Sequence, residues 1–196
     1  MSTIQDPLTH DTARVDAANR LSVFATSQSE VEHATAKGDA YNINTGLVAY
    51  TGSSESSLIY LKNNESRDLL ITQFIIGLQD LSATVTDRAI ATLIRNPIGG
   101  NIVSDATAVD MNINLNFGSS KVLDIDIFKG KDGGTISGGN DGGIFAGSGG
   151  MRLPIEIPMV IPSGSSFGLK IDLNTSGGGD IYSAIVCHLV DPDALA

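Results

Sequence analysis

The chain has 196 residues, 12 of them Lys or Arg and 22 Asp or Glu, for a formal net charge of −10. A single-sign negative field of this kind repels phosphate backbones and anionic lipid heads, which argues against nucleic acid and membrane as partners. An apolar content of 41% is enough for a sandwich-sized core, and 22 glycines, no Trp, six Phe and four Tyr favour short strands joined by Gly-rich turns over a helical bundle.

Residues 1–7 carry neither a basic n-region nor an apolar h-region, so no signal peptide is expected. No apolar run approaches the roughly 18 residues of a membrane-spanning helix. The lone cysteine, Cys187, excludes an internal disulfide framework and a Cys-based zinc cluster. The expectation is a soluble protein made in a reducing compartment.

Residues 1–45 are polar, with isolated apolar positions and no sustained period, and read as an extended N-terminal arm. Within it, residues 20–24 can pair as a short strand. Ser29 and Glu32 form a capping-box pattern and Gly38 can end a helix, which predicts two helical turns over residues 30–37. The arm has Leu21, Val23 and Phe24 to bury. It reads either as a loose terminus or as a docking arm with these three as the assembly contacts.

From Gly46 to residue 196 the apolar period is two, the mark of half-buried strands. Residues 58–62 and 69–76 read as strands, the second apolar on both faces and therefore central. Residues 89–96 follow, stopped by Pro97 and a Gly99-Gly100 turn. Val109, Met111, Ile113, Leu115 and Phe117 alternate with Asp110, Asn112, Asn114 and Asn116, the cleanest half-buried strand pattern in the chain. Ile125 and Ile127 alternate with Asp124 and Asp126. Leu153, Ile155 and Ile157 alternate with Pro154, Glu156 and Pro158, an edge or a bend. Residues 169–173 and 183–190 close a set of eight or nine strands. Residues 130–150 hold so many glycines that they read as a long loop with one short strand near Ile144 and Phe145. The economical fold is all-β, an antiparallel two-sheet sandwich over residues 46–196.

Four patterns invite a chemical reading. Gly164-Ser165-Ser166-Phe167-Gly168 matches the nucleophile elbow of α/β-hydrolases, but that motif needs a following helix, and here a strand pattern follows. Residues 138–143 resemble part of a calcium-binding Gly/Asp repeat, with Asp132 and Asp141 as ligand candidates. Asp124 and Asp126 share one strand face, where paired carboxylates or a solvated face are the two readings. His10, His33 and His188 lack a second ligand-type residue at metal spacing. Neither a P-loop nor a dinucleotide fingerprint is present, and no cofactor, metal or catalytic residue is expected.

Several segments, in this order, carry a likeness. They are residues 14–23 (RVDAANRLSV), 40–46 (AYNINTG), 59–65 (IYLKNNE), Arg95-Asn96-Pro97 with Gly99-Gly100, 116–121 (NFGSSK) and 161–166 (IPSGSS). The chain thereby resembles virion structural proteins of tailed bacteriophages, especially those infecting marine bacteria and cyanobacteria. The resemblance implies a sandwich of jelly-roll type in a virion. It would be a capsid decoration (cement) protein that binds the major capsid protein through its arm, or a tail or baseplate component. A homo-oligomer is expected, a trimer by the symmetry of head shells, made in the host cytoplasm and located on the capsid surface. A carbohydrate- or receptor-binding tail module is the competing class, and an unrecognised enzyme a third.

Overall fold

A computed structural model describes residues 3–5, 12–15, 21–22, 29–51, 55–79, 88–101, 107–108, 112–148, 152–155, 158–173 and 178–190. The elements are β1 (Thr3–Gln5), β2 (Thr12–Val15), β3 (Leu21–Ser22), α1 (Glu30–Lys37), β4 (Ala40–Asn44), β5 (Val48–Tyr50), β6 (Ser56–Asn63), β7 (Asp68–Gln79) and β8 (Arg88–Arg95). They continue as β9 (Thr107–Ala108), β10 (Asn112–Asn114), β11 (Ile125–Lys131), β12 (Asn140–Ser148), β13 (Arg152–Ile155), β14 (Met159–Ile161), β15 (Ser166–Asp172) and β16 (Gly179–Val190).

The chain divides into two units at residues 30 and 31. In the first, β1, β2 and β3 form a small antiparallel meander, with Thr3 opposite Arg14 and Val15 opposite Leu21. An extended arm was expected there; the backbone instead pairs with itself. Leu21 lies in β3, and Val23 and Phe24 fall outside the described residues.

The second unit is an all-β sandwich of two antiparallel sheets. Sheet I runs β10-β4-β16-β7-β13, with β14 also on β7 and β5 also on β16; sheet II runs β12-β8-β15-β6-β11-β9. Eight positions of this pattern are the two Greek keys of a jelly roll: β4-β16-β7-β13/β14 facing β6-β15-β8-β12. The segment between β8 and β12 is an insertion. It adds β10 beyond β4 and β11 with β9 beyond β6.

The sandwich starts earlier than residue 46. β4 pairs with β16 from Ala40 opposite His188 to Asn44 opposite Ala184, and Tyr41 and Ile43 are fully buried. The helix forms where the capping pattern puts it. Gly38, at φ 74°, ends it with the paired bonds of a Schellman motif, Gly38 N–H to Thr35 O (3.0 Å) and Asp39 N–H to Ala34 O (2.8 Å).

The two-faced apolar run of β7 has a more specific cause than central burial. Leu69 and Ile71 face the core, then Phe74, Ile76 and Leu78 do, a phase change of one residue. A bulge against β16 between Val186 and Cys187 absorbs Thr72, whose hydroxyl donates to Val186 O at 3.2 Å. Between the sheets Phe74 meets Phe167 at 5.9 Å, ring centre to ring centre.

Two expectations for the insertion and the Gly-rich stretch are corrected. The predicted nine-residue strand at 109–117 is described only as the three residues of β10, with Ile113 and Phe117 exposed; Val109, Asp110 and Met111 are outside the described residues. Three of its alternating polar residues, Asn112, Asn114 and Asn116, are asparagines, which compete for backbone. The Asn114 carboxamide accepts from Asn116 N–H (2.9 Å) and donates to Gly38 O (2.9 Å), ending the ladder. The loop expected at 130–150 is largely strand, since β12 pairs with β8 from Asn140 opposite Arg95 to Ser148 opposite Arg88. Pairing there needs backbone only, so missing side chains do not prevent it.

Residues 132–139 return across the outer face of sheet II. Ile136 is buried there with Tyr60 and Ile94, beside Phe128, whose ring stacks on Tyr60. A β-carbon at Gly168 would come within 2.8 Å of Ile136, so glycine lets the strap lie flat. Ile136→Ala is expected to destabilise the protein by about 2–4 kcal/mol in chemical denaturation, whereas Ile144→Ala at an exposed strand position should change stability by under about 0.5 kcal/mol.

Candidate functional site

A substantial hollow opens at one end of the sandwich, where β8, β12 and β15 of sheet II face β14 of sheet I. Its construction starts with Arg95-Asn96-Pro97. Pro97 has no N–H to continue the ladder, and Asn96 turns the chain at φ 47°, a left-handed conformation asparagine tolerates. Asn96 N–H donates to Ser166 O (2.8 Å), and its side-chain Oδ1 accepts from Ser166 N–H (2.9 Å). Opposite, the Pro162–Ser165 turn closes with Ser165 N–H on Pro162 O at 2.9 Å, with Gly164 at φ 75°. Buried Asn63 ties this turn down: its Nδ2 donates to Ile161 O and to Arg67 O, each at 2.9 Å.

The result is a cleft of about 260 Å³. Leu93, Phe145, Met159, Val160, Ile161 and Phe167 make its apolar surface; Arg95, Asn96, Ser165 and Ser166 supply polar groups. No Asp, Glu or His lines it. Ser166 therefore has no neighbouring base within the cleft to activate it. It opens β15 after a turn rather than sitting on a strand-to-helix elbow. Such a cleft holds an apolar group and can orient it with one guanidinium and two hydroxyls.

The other sequence candidates do not come together. Asp124 and Asp126 are exposed at the start of β11, with the Asp124 N–H donating to Glu65 Oε1 at 2.9 Å. Asp132 accepts from the Thr51 hydroxyl (2.8 Å) and Thr51 N–H (3.2 Å), and Asp141 is exposed in β12. His33 is exposed on α1, His188 is buried in β16, and His10 lies outside the described residues. Among the described residues no group of three His, Cys, Asp or Glu side chains is placed to hold a metal ion. Cys187 is buried, and burial pushes its thiol up to about 12, which keeps it protonated and unreactive at neutral pH. Burial likewise raises the Tyr50 hydroxyl, which donates to Ser57 O at 2.7 Å.

One ionic cluster was not anticipated. Asp39, directly after the helix cap, has a side chain only 8% exposed, held by Lys121 Nζ at 2.8 Å and Arg67 at 3.1 Å. It joins the end of α1, the β6–β7 turn and the insertion. Burial alone would raise the Asp39 carboxyl, but the hydrogen bonds and charges of Arg67 and Lys121 outweigh it and hold the group below its ordinary 3.8. Sequence spacing has no signal for this triad, whose members are separated by loops. The cleft was equally hidden, because Phe145 was read in a short strand isolated within a long loop, with nothing to place it beside β8, and Arg95 lies next to a stop signal.

No protein-family model, curated protein or solved structure matches the chain.

Because the Asp39 pKa is depressed on folding, the unfolded chain binds its proton more tightly. The stabilisation is complete above about 3.8 and is lost as pH falls through the lower, folded value. Asp39→Asn should therefore lower stability by about 1–3 kcal/mol at pH 7, with the two unfolding curves converging below pH 3.8. Denaturant titrations of both proteins across pH 2–7 measure this, about 2 being the lower practical limit.

Proposed function

We propose that the chain is a non-enzymatic structural component of a tailed-bacteriophage particle, a capsid decoration (cement) protein that docks on the major capsid protein and works as a homotrimer. The observation that carries this reading is the strand order of the second unit, a jelly roll, joined to a separate N-terminal unit. Jelly rolls are a common build of virion shells and of lectins, so the step from fold to role is an analogy at the level of fold, strengthened by the sequence resemblance. The hidden thiol, and a cleft serine without a base, fit a part that performs no covalent chemistry. With a net charge of −10, the chain fits basic or neutral contact patches on the shell. In this reading it is made in the host cytoplasm and ends on the capsid surface; a place in the tail or baseplate is the nearest variant.

A carbohydrate- or receptor-binding module is favoured by one observation, the end cleft with Phe145 beside Arg95, Ser165 and Ser166. Sugars stack on such aromatic faces. A glycan array separates the two: saturable binding lost in Phe145→Ala supports the receptor module, and no binding supports the structural role.

Truncation to residues 29–196 removes β1, β2 and β3 of the first unit and leaves α1 with its capping serine and every sandwich strand in place. The shortened protein should keep its β-type circular dichroism and its unfolding midpoint while losing incorporation into particles, scored by immunogold labelling of purified heads. Full incorporation of the truncated protein would overturn docking through that unit. Ser166→Ala, which removes a cleft hydroxyl that has no neighbouring base, should incorporate as wild type does.

A further inference from the structure

The loop between β10 and β11 holds an aromatic ring out in water and is built to keep it there. Residues 116–119 form a tight turn, with Ser119 N–H on Asn116 O at 2.9 Å and Gly118 N–H on the Asn116 side chain at 3.1 Å. The Asn116 carboxamide also donates to Ala36 O at 3.0 Å, which pins the turn to α1. Phe117 at its tip is 88% exposed, and Val122 and Ile113 nearby are 81% and 47% exposed. A free loop would fold such a ring back against the domain; this one is braced outward. An aromatic ring held at the tip of a braced turn is the kind of side chain that anchors an interface by filling a pocket on the partner.

The end cleft lies on the opposite edge of the same sandwich. Sheet I runs from β10, which leads into the loop, to β14, which forms one wall of the cleft. The two features also lie at the same height along the strands. Leu115 N–H bonds Ala40 O, Ala40 pairs with His188, His188 with Leu70, and Leu70 with Val160 of the cleft wall. One row of the sheet thus connects the projecting loop to the hollow.

We infer that Phe117 of one copy of this chain seats in the end cleft of the next copy, so that the sandwiches associate edge to edge, head to tail, in a closed ring. Three observations choose a second copy as the occupant. At about 260 Å³ the cleft falls below the roughly 300–1,000 Å³ of ordinary small-ligand sites and suits one ring. Arg95, without an ion pair among the described residues, meets the exposed Asp124 and Asp126 at the base of the loop and can lie over the incoming aromatic face. Equal height means that rotation about an axis along the strands brings loop to cleft without a rise, and a heterologous contact of that kind closes rather than growing into a filament. The contact also covers the β12 edge, whose outer backbone groups are otherwise open to pairing.

This inference rests on the homo-oligomeric part of the function proposed above and is independent of any place on a particle. A ring in solution from a protein absent from purified particles would keep the inference and remove the virion role. The test uses the full chain and two variants at exposed positions, Phe117→Ala on the loop and Val160→Asp on the cleft wall, followed by sedimentation velocity and light scattering at tens of micromolar. The wild type should form a discrete oligomer. Each variant should dissociate with a constant raised at least about tenfold while its circular dichroism is unchanged. Mixed one to one, the variants should form a heterodimer and nothing larger, because Phe117→Ala retains a cleft and Val160→Asp retains a loop. A monomeric wild type, an oligomer indifferent to Phe117→Ala, or a mixture that stays monomeric would each overturn the inference.

Discussion

The pairing of β16 with β7 is the constraint from which the rest of the sandwich follows. Their ladder runs from Asp180 opposite Gln79 to Val190 opposite Asp68, and the other strands of sheet I attach to one of the two, β10 through β4. The ends of the chain's second unit are thereby sewn together, since β4 near its start lies against β16 near its end. Such a fold cannot assemble from its N-terminal half alone, because the central strand of sheet I arrives last. The bulge at Thr72 sets which side chains of β7 enter the core, so one inserted residue governs where both Ile71 and Phe74 point.

Against that frame the insertion between β8 and β12 acts as a brace. Its outgoing and returning arms exchange bonds, Ser137 N–H to Gly99 O at 2.8 Å and Thr135 N–H to the Asn101 side chain at 2.7 Å. Between them it covers the outer face of sheet II with Ile136 and reaches round to the far edge of both sheets. There Lys121 meets Asp39, and asparagine side chains replace ladder bonds at the end of β10. Hydrogen bonding that shortens a strand is what leaves Phe117 outside. The exposed ring and the cut-short strand are two consequences of the same asparagines.

Much of the sandwich was legible in the sequence because burial on one face of a strand imposes a period of two. Strands β6, β8, β15 and β16 stand where alternation or an apolar run marks them, Pro154 in β13 and Pro158 just before β14 mark an edge, and Ser29, Glu32 and Gly38 mark the helix. The solvent-facing reading of Asp124 and Asp126 also follows from alternation alone. Composition and charge further determined that the chain forms a core and carries a field that repels polyanions.

Tertiary structure decided what depends on partners distant in sequence. Strand β12 reaches from Asn140 to Ser148 because β8 offers it backbone groups, whatever side chains it lacks, so its Gly-rich sequence announced only a short piece near Ile144 and Phe145. β4 belongs to the sandwich because β16, more than 130 residues later, pairs with it. The Asp39 cluster and the end cleft are made of residues that local periodicity treats as loop or strand end. Periodicity reports only whether a residue faces the core. Which strand lies beside which, and which loop ends meet, is set by long-range hydrogen bonding and packing, and on those both the cleft and the braced Phe117 depend.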